Sequence, residues 1–268
     1  MTPAVTALAH GLAHRLADAA GQAIRPFFRA NFAHEAKGDM SPVTEADRAA
    51  EAAMRAILDA ECPDDGILGE EYGVKPGTSG RTWVLDPIDG TVSFMAGRPI
   101  FGTLIAMLQD GFPVLGILDQ CISGERWVGQ IGEATMLNGK PVQTRRCRTL
   151  DQATLASTGP QYFDNHSAEH FMALAAKTSH KRMVWGGDCY NYGLLAAGQI
   201  DLVVEAGLKA YDIAALIPII EGAGGLVADW AGEPLHFDAG DDNKLHNIIA
   251  LGDPARLEDV VSALACAH

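Results

Sequence analysis

The chain has 268 residues, 48% of them hydrophobic, which is enough for one large globular domain or two small ones and excludes a disordered chain. A net charge of −14 argues against nucleic-acid binding, which asks for a basic surface, and no apolar run reaches the roughly 18 residues of a membrane-spanning helix. Five scattered cysteines (Cys62, Cys121, Cys147, Cys189, Cys266) without a C-x-x-C pair, and a start lacking the basic-then-apolar pattern of a signal peptide, point to reduced thiols in the cytoplasm.

Residues 2–33 are alanine-rich, with Leu8, Leu12, Leu16, Ile24, Phe27 and Phe28 near helical spacing; Pro26 is expected to bend or shorten that helix. A loop over 37–42 follows. A second helix is expected from Thr44 to about Ala60, with Thr44 as its N-cap. Pro63-Asp64-Asp65-Gly66 reads as a turn, 67–71 as a short strand or strand end, and 82–86 as a strand after a glycine-rich loop. Residues 101–109 and 113–119 read as a hairpin around Asp110-Gly111-Phe112, and 126–138 as further antiparallel sheet.

Near residue 150 the pattern changes. Strands are expected at 154–157, 182–185, 200–205, 225–230 and 247–251. Helices are expected at 165–178, 189–198, 212–222 and 254–265. Such alternation predicts an α/β layer with mostly parallel strands. The reading is therefore an α+β N-terminal half over 1–148 and an α/β C-terminal half over 149–268, tightly packed because no long Pro/Ser-rich linker separates them.

The chemistry begins at Trp83-Val84-Leu85-Asp86-Pro87-Ile88-Asp89-Gly90-Thr91, where an apolar run ends in two aspartates three positions apart. Carboxylates held that close repel and need a counter-charge. An oxygen-rich site of this kind suits Mg²⁺, which shares one or two carboxylates with waters and substrate phosphate. Two further acids stand out. Glu70 ends a short apolar strand, and Asp212 opens the apolar stretch Ile213–Ile220. Taken singly each has a structural reading: an Asx turn for Asp86 and Asp89, a solvated strand end for Glu70, an N-cap for Asp212.

Gly69-Glu70-Glu71, Asp86-Pro87-Ile88-Asp89-Gly90-Thr91, Tyr211-Asp212-Ile213-Ala214-Ala215 and Glu221-Gly222-Ala223-Gly224-Gly225 resemble, in that order, the inositol monophosphatase superfamily. The resemblance covers nearly the whole chain. It implies a layered αβαβα sandwich, Mg²⁺-dependent and Li⁺-sensitive phosphomonoesterase activity with two or three Mg²⁺ ions, and often a homodimer. By position it implies that Glu70, Asp86 and the Ile88 carbonyl hold one metal, and that Asp86, Asp89 and Asp212 hold another. It implies that the Gly90 and Thr91 amides hold phosphate, and that Thr91 and Asp47 orient the attacking water. Glu70, Thr91 and Asp47 are thus the catalytic candidates; Asp47 is also a plausible capping-box acid with Thr44. Val92 departs from the polar or basic residue common after Gly-Thr.

Gly187-Asp188-Cys189-Tyr190, then Glu205-Ala206-Gly207-Leu208-Lys209-Ala210-Tyr211-Asp212, and Phe101-Gly102-Thr103-Leu104-Ile105 resemble the histidinol-phosphate phosphatase branch. The resemblance implies that Asp188 and Glu205 line the pocket opposite the phosphate, with Asp212 at its metal side. Two carboxylates with aromatics nearby suit a ligand carrying an ammonium and an imidazole ring. The plainer alternative is that Asp188 caps the helix from Cys189 and the tyrosines are core. Inositol or sugar phosphates are the rival substrates, and a regulatory protein on the same scaffold is the non-enzymatic rival. Lys37 and Lys209 are read as surface or site-facing lysines, His166, His170 and His180 as solvated, and Gly222–Gly225 as a helix end rather than a dinucleotide fingerprint.

Overall fold

The computed structural model describes residues 3–30, 42–237 and 243–265. Lys37 and the rest of the loop read over 37–42, except Pro42, lie outside the described residues, as does Cys266; Pro42 is helical. Helix α1 (Pro3–Ile24) buries Leu12, Leu16, Ala20 and Ile24, spaced one turn apart, and gives way to a 3-10 turn, Arg25–Phe27, where Pro26 cannot continue the α ladder. Helix α2 (Pro42–Glu61) buries Ala46, Ala50, Met54 and Leu58. It starts two residues before the expected Thr44, so Thr44 sits inside the first turn and not at the N-cap. Proline at the first helical position sacrifices no intrahelical bond.

Strands β1 (Gly66–Gly69), β2 (Gly73–Lys75) and β3 (Arg81–Asp89) come next, then the short helix α3 (Thr91–Met95). They are followed by β4 (Gly102–Gln109), β5 (Phe112–Gln120), β6 (Glu125–Gln130), β7 (Met136–Leu137) and β8 (Lys140–Pro141). These form one sheet in the order β2-β1-β3-β4-β5-β6-β7-β8, antiparallel except for β1 against β3. The β4–β5 hairpin turns on Asp110 and Gly111 alone, both at positive φ (51° and 83°), so Phe112 already belongs to β5.

The second half supplies β9 (Leu155–Ser157), α4 (Asn165–Ala175), β10 (Met183–Trp185), α5 (Asp188–Ala196) and β11 (Leu202–Leu208). After these come α6 (Ala210–Ile213), α7 (Leu216–Gly222), β12 (Leu226–Asp229), β13 (His246–Leu251) and α8 (Leu257–Leu264). The sheet order is β10-β9-β11-β13-β12. Only the β10/β9 and β9/β11 pairs are parallel; β13 runs antiparallel to both β11 and β12. The expectation of mostly parallel strands is therefore corrected to an even mixture. Parallel pairing needs a crossover, usually helical, and the described residues between β12 and β13 contain no helix. The single helix expected over 212–222 is two, because Pro218 has no N–H for the Ala214 carbonyl and the ladder breaks there.

Three apolar cores stack these elements into an αβαβα sandwich. Along β4, Ile105 and Met107 face α1 and α2, whereas Leu104, Ala106 and Leu108 face α5 and α7, as the period of two requires. Along β11, Val203 shares that central core, whereas Leu202 and Val204 face α4 and α8. The central core thus draws on both halves of the chain, joining Leu118 and Trp127 to Leu195, Ile219 and Ile248. Helix α7 lies directly on the first sheet: a Cβ at Gly116 would overlap the Ala215 carbonyl, and one at Gly129 the backbone of Pro218 and Ile219.

Candidate active site

In a regular strand, residues three apart face opposite sides of the sheet. Asp86 and Asp89 nonetheless converge, because the register of β3 against β4 shifts between them. The hydroxyl of Thr103 holds this bulge by donating to the Pro87 carbonyl (2.7 Å). The bulge re-aims one side chain, and α6 brings Asp212 alongside. Oxygens of Asp86, Asp89 and Asp212 then lie within 4.8 Å of one another, and a second group, Asp47, Glu70 and Glu71, meets the same limit. Glu70 links the two groups through its carboxyl contact with Asp86.

Each aspartate of the first group is held differently. Asp89 accepts the Cys189 N–H (2.6 Å) and Asp212 the Lys209 N–H (2.7 Å), so Asp212 is the third helical residue of α6 and not its N-cap. Asp86 is 1% exposed, and its Oδ1, like that of Asp47, is buried without a hydrogen-bond partner among the described residues. Burial pushes Asp86 well above the ordinary carboxylate range, and Glu70, Asp89, Asp212 and Asp47 push it further. Burial and the Asp188 and Asp212 charges raise Asp89 likewise. Burial lifts Asp212 to about 7 and Asp47 to about 8, the latter with help from Glu70, Glu71 and Glu51. Orphaned buried oxygens in an all-oxygen, self-repelling set are the signature of a hard-cation site.

A cavity of about 580 Å³ opens beside this cluster and reaches Asp89, Gly90, Thr91, Asp188, Glu205 and Asp212. Gly90, at φ 89°, precedes α3, and Thr91 Oγ1 donates to the Ile88 carbonyl (3.3 Å). The expected Thr91–Asp47 pair is therefore not formed: the hydroxyl is used three residues back, on the same Ile88 carbonyl that the resemblance implies as a metal ligand. Asp188 is the first residue of α5, at φ 43°; its carboxylate accepts from Ser93 Oγ (3.0 Å) and caps nothing. Glu205 is buried and raised by that burial. One of its oxygens takes the Thr158 N–H (2.9 Å) and hydroxyl, and the other takes the Tyr192 hydroxyl (2.9 Å).

Tyr190 leaves the site: its hydroxyl bonds Glu125 and its ring meets Trp127 edge-on. The aromatic wall is instead Tyr162, Phe163 and Tyr192, with His166 on the rim. Lys209 stays close, its Nζ 5.5 Å from the centre of the Tyr211 ring. Sequence reasoning missed Ser93, Thr158 and Glu71. Glu71 could have been read from its place beside Glu70; Ser93 and Thr158 carry no sequence signal, because their partners are 95 and 47 residues away.

A model of the Inositol monophosphatase family matches residues 9–265. The chain belongs to the inositol monophosphatase family. Within it, the chain is 47% identical to the bifunctional phosphatase IMPL2, chloroplastic, of Arabidopsis thaliana, over 89% of this chain and 69% of that protein. It is 36% identical to a histidinol-phosphatase of Chlorobaculum parvum, over 85% and 88% respectively. A solved structure of an inositol monophosphatase from Zymomonas mobilis superposes with a TM-score of 0.86 at 52% identity, covering 95% of this chain and 96% of that one. The family is one of phosphatases, so this chain is a phosphoric monoester hydrolase. Its inositol monophosphatase fold is the five-layer sandwich described above. No helix among the described residues is long and apolar enough to cross a membrane.

Proposed function

We propose that the chain is a Mg²⁺-dependent phosphomonoesterase that hydrolyses L-histidinol phosphate to L-histidinol and phosphate, as a cytoplasmic homodimer serving histidine biosynthesis. Asp86, Asp89, Asp212 and Glu70, with the Ile88 carbonyl, would hold two or three Mg²⁺ ions. The chemistry Mg²⁺ supplies at such a site is activation of water and neutralisation of charge on phosphoryl and leaving oxygens. The chain's own groups do the rest. Gly90 and Thr91 offer backbone amides to the phosphate at the cavity floor. Helix α3 has only five residues, so amide geometry outweighs any helix dipole there. Asp47, whose Oδ1 is buried without a hydrogen-bond partner among the described residues, is suited to orient the attacking water and take its proton. No side chain needs to act as a nucleophile.

The observation that carries the choice of substrate is Asp188. Its carboxylate stands over Gly90, where a Cβ would come within 2.8 Å of it; among the described residues one of its oxygens accepts a hydrogen bond, from Ser93, and Arg98 adds a positive charge nearby. Glu205 has both oxygens engaged, so an incoming ammonium is better met by Asp188. Tyr162 and Phe163 offer rings to an imidazole. An inositol ring brings only hydroxyls; the named activity of the Zymomonas mobilis relative supports that second reading. Steady-state assays with Mg²⁺ on histidinol phosphate and inositol 1-phosphate separate the two. We expect histidinol phosphate to win in kcat/KM, and Asp188→Asn to cut that advantage by about 10–100-fold, the worth of one charge-assisted hydrogen bond. A clear preference for inositol 1-phosphate sinks the substrate assignment and leaves the metal chemistry standing.

A further inference from the structure

Helix α2 sends two acids inward one turn apart, Asp47 and Glu51, and only Asp47 belongs to a carboxylate cluster. Glu51 is wholly buried, at 0% exposure. Its Oε2 accepts the Glu71 N–H (2.8 Å), and its Oε1 accepts the Tyr72 N–H (3.3 Å) and Arg55 Nε (2.7 Å). Arg55 in turn donates to the Gly73 carbonyl. The seat for this carboxylate is cut by Gly69: any Cβ there would overlap Glu51 Oε1. On the other side of Glu70, its own N–H is tied to the Leu85 carbonyl of β3 (3.1 Å).

The backbone is therefore pinned before and after Glu70, by β3 at one side and by a buried carboxylate at the other. A buried charge is kept only where bonds replace its hydration, and here three do so. The geometry points to Glu51 as a positioning residue: it fixes the Glu70–Tyr72 turn so that Glu70 and Glu71 present their oxygens to the carboxylate cluster. This rests on the reading of Glu70 as a metal ligand. Glu51 is neither a cavity-lining residue nor a member of the cluster; its charge is felt by Asp47 and Glu70, and the positioning role is exerted through the backbone of Glu71 and Tyr72. Groups that orient metal ligands from behind typically set metal affinity by about 10–100-fold.

The test is Mg²⁺ uptake by the full chain, measured by calorimetry without substrate, beside the Mg²⁺ concentration that half-saturates phosphatase activity. Three variants are compared: Glu51→Gln removes the charge and keeps the shape, Glu51→Asp keeps the charge and shortens the reach, and Gly69→Ala displaces the carboxylate. All three are expected to weaken Mg²⁺ binding by about 10–100-fold, with kcat recovering at high Mg²⁺ and substrate KM little changed. If Glu51→Asp binds like the wild type while Glu51→Gln does not, the effect is through-space charge and the positioning role is overturned. It is also overturned if folded variants lose only melting temperature and bind Mg²⁺ normally. Failure of the wild-type chain to take up Mg²⁺ would instead remove the metal reading itself.

Discussion

Asp86 carries more opposing influences than any other side chain described above. It is enclosed, one of its oxygens has no partner, and four other carboxylates raise its proton affinity. A neutral isostere relieves that repulsion and removes the centre of the cluster. Asp86→Asn is expected to lower kcat by several powers of ten with the fold retained, and to raise the melting temperature of the metal-free protein; phosphate-release assays beside calorimetric melts check both. The residue scale is also where the sequence was most legible. Asp86-Pro87-Ile88-Asp89-Gly90-Thr91 and Tyr211-Asp212 are contiguous strings whose chemistry is local, so the acids that converge could be named in advance. What stayed hidden were partners set by tertiary contact. The Ser93 hydroxyl on Asp188, the Thr158 and Tyr192 bonds on Glu205 and the turning of Thr91 toward Ile88 follow from packing, not from spacing.

At the scale of elements, α7 is the piece that holds the two sheets in register, since it packs on β5 and β6 and closes the central core with Ile219 and Ile220. Its close approach depends on Gly129, where a methyl group would meet backbone and not a yielding side chain. Gly129→Ala is expected to destabilise the protein by about 1–3 kcal/mol, the usual range for overpacking, without changing β6 itself; urea unfolding measures it. Hydrophobic periodicity gave nearly every helix and strand within a few residues. It did not give the break between α6 and α7, where a proline three residues into a helix decides, nor the direction of β13, which has no local signature. Strand direction belongs to connections, and the described part of the 231–245 connection has no periodic segment to read.

For the molecule as a whole, the acidic cluster makes stability depend on pH and on cation together. The folded state raises Asp212 to about 7 and Asp47 to about 8, above the ordinary carboxylate range. Over that interval the folded chain binds more protons than the unfolded one, so stability of the metal-free protein falls as pH rises from about 4 to about 8. The overall charge of −14 acts in the same direction. Saturating Mg²⁺ separates the two contributions. At a hundredfold excess over Kd it is expected to add about 2.7 kcal/mol, on the order of 5–10 °C in melting temperature, and to flatten the pH dependence between about 5 and 8. A melting temperature indifferent to Mg²⁺ at pH 8 would contradict the site.

The carboxylates that converge come from β3, completed before residue 90, and from α6, beyond residue 209. A chain emerging from the ribosome must expose more than three quarters of its length before Asp212 can meet Asp86 and Asp89. Until then Asp47, Glu70, Asp86 and Asp89 are already out but the group that shares Asp212 is incomplete, so the whole reactive centre is one of the last things the emerging polypeptide can assemble.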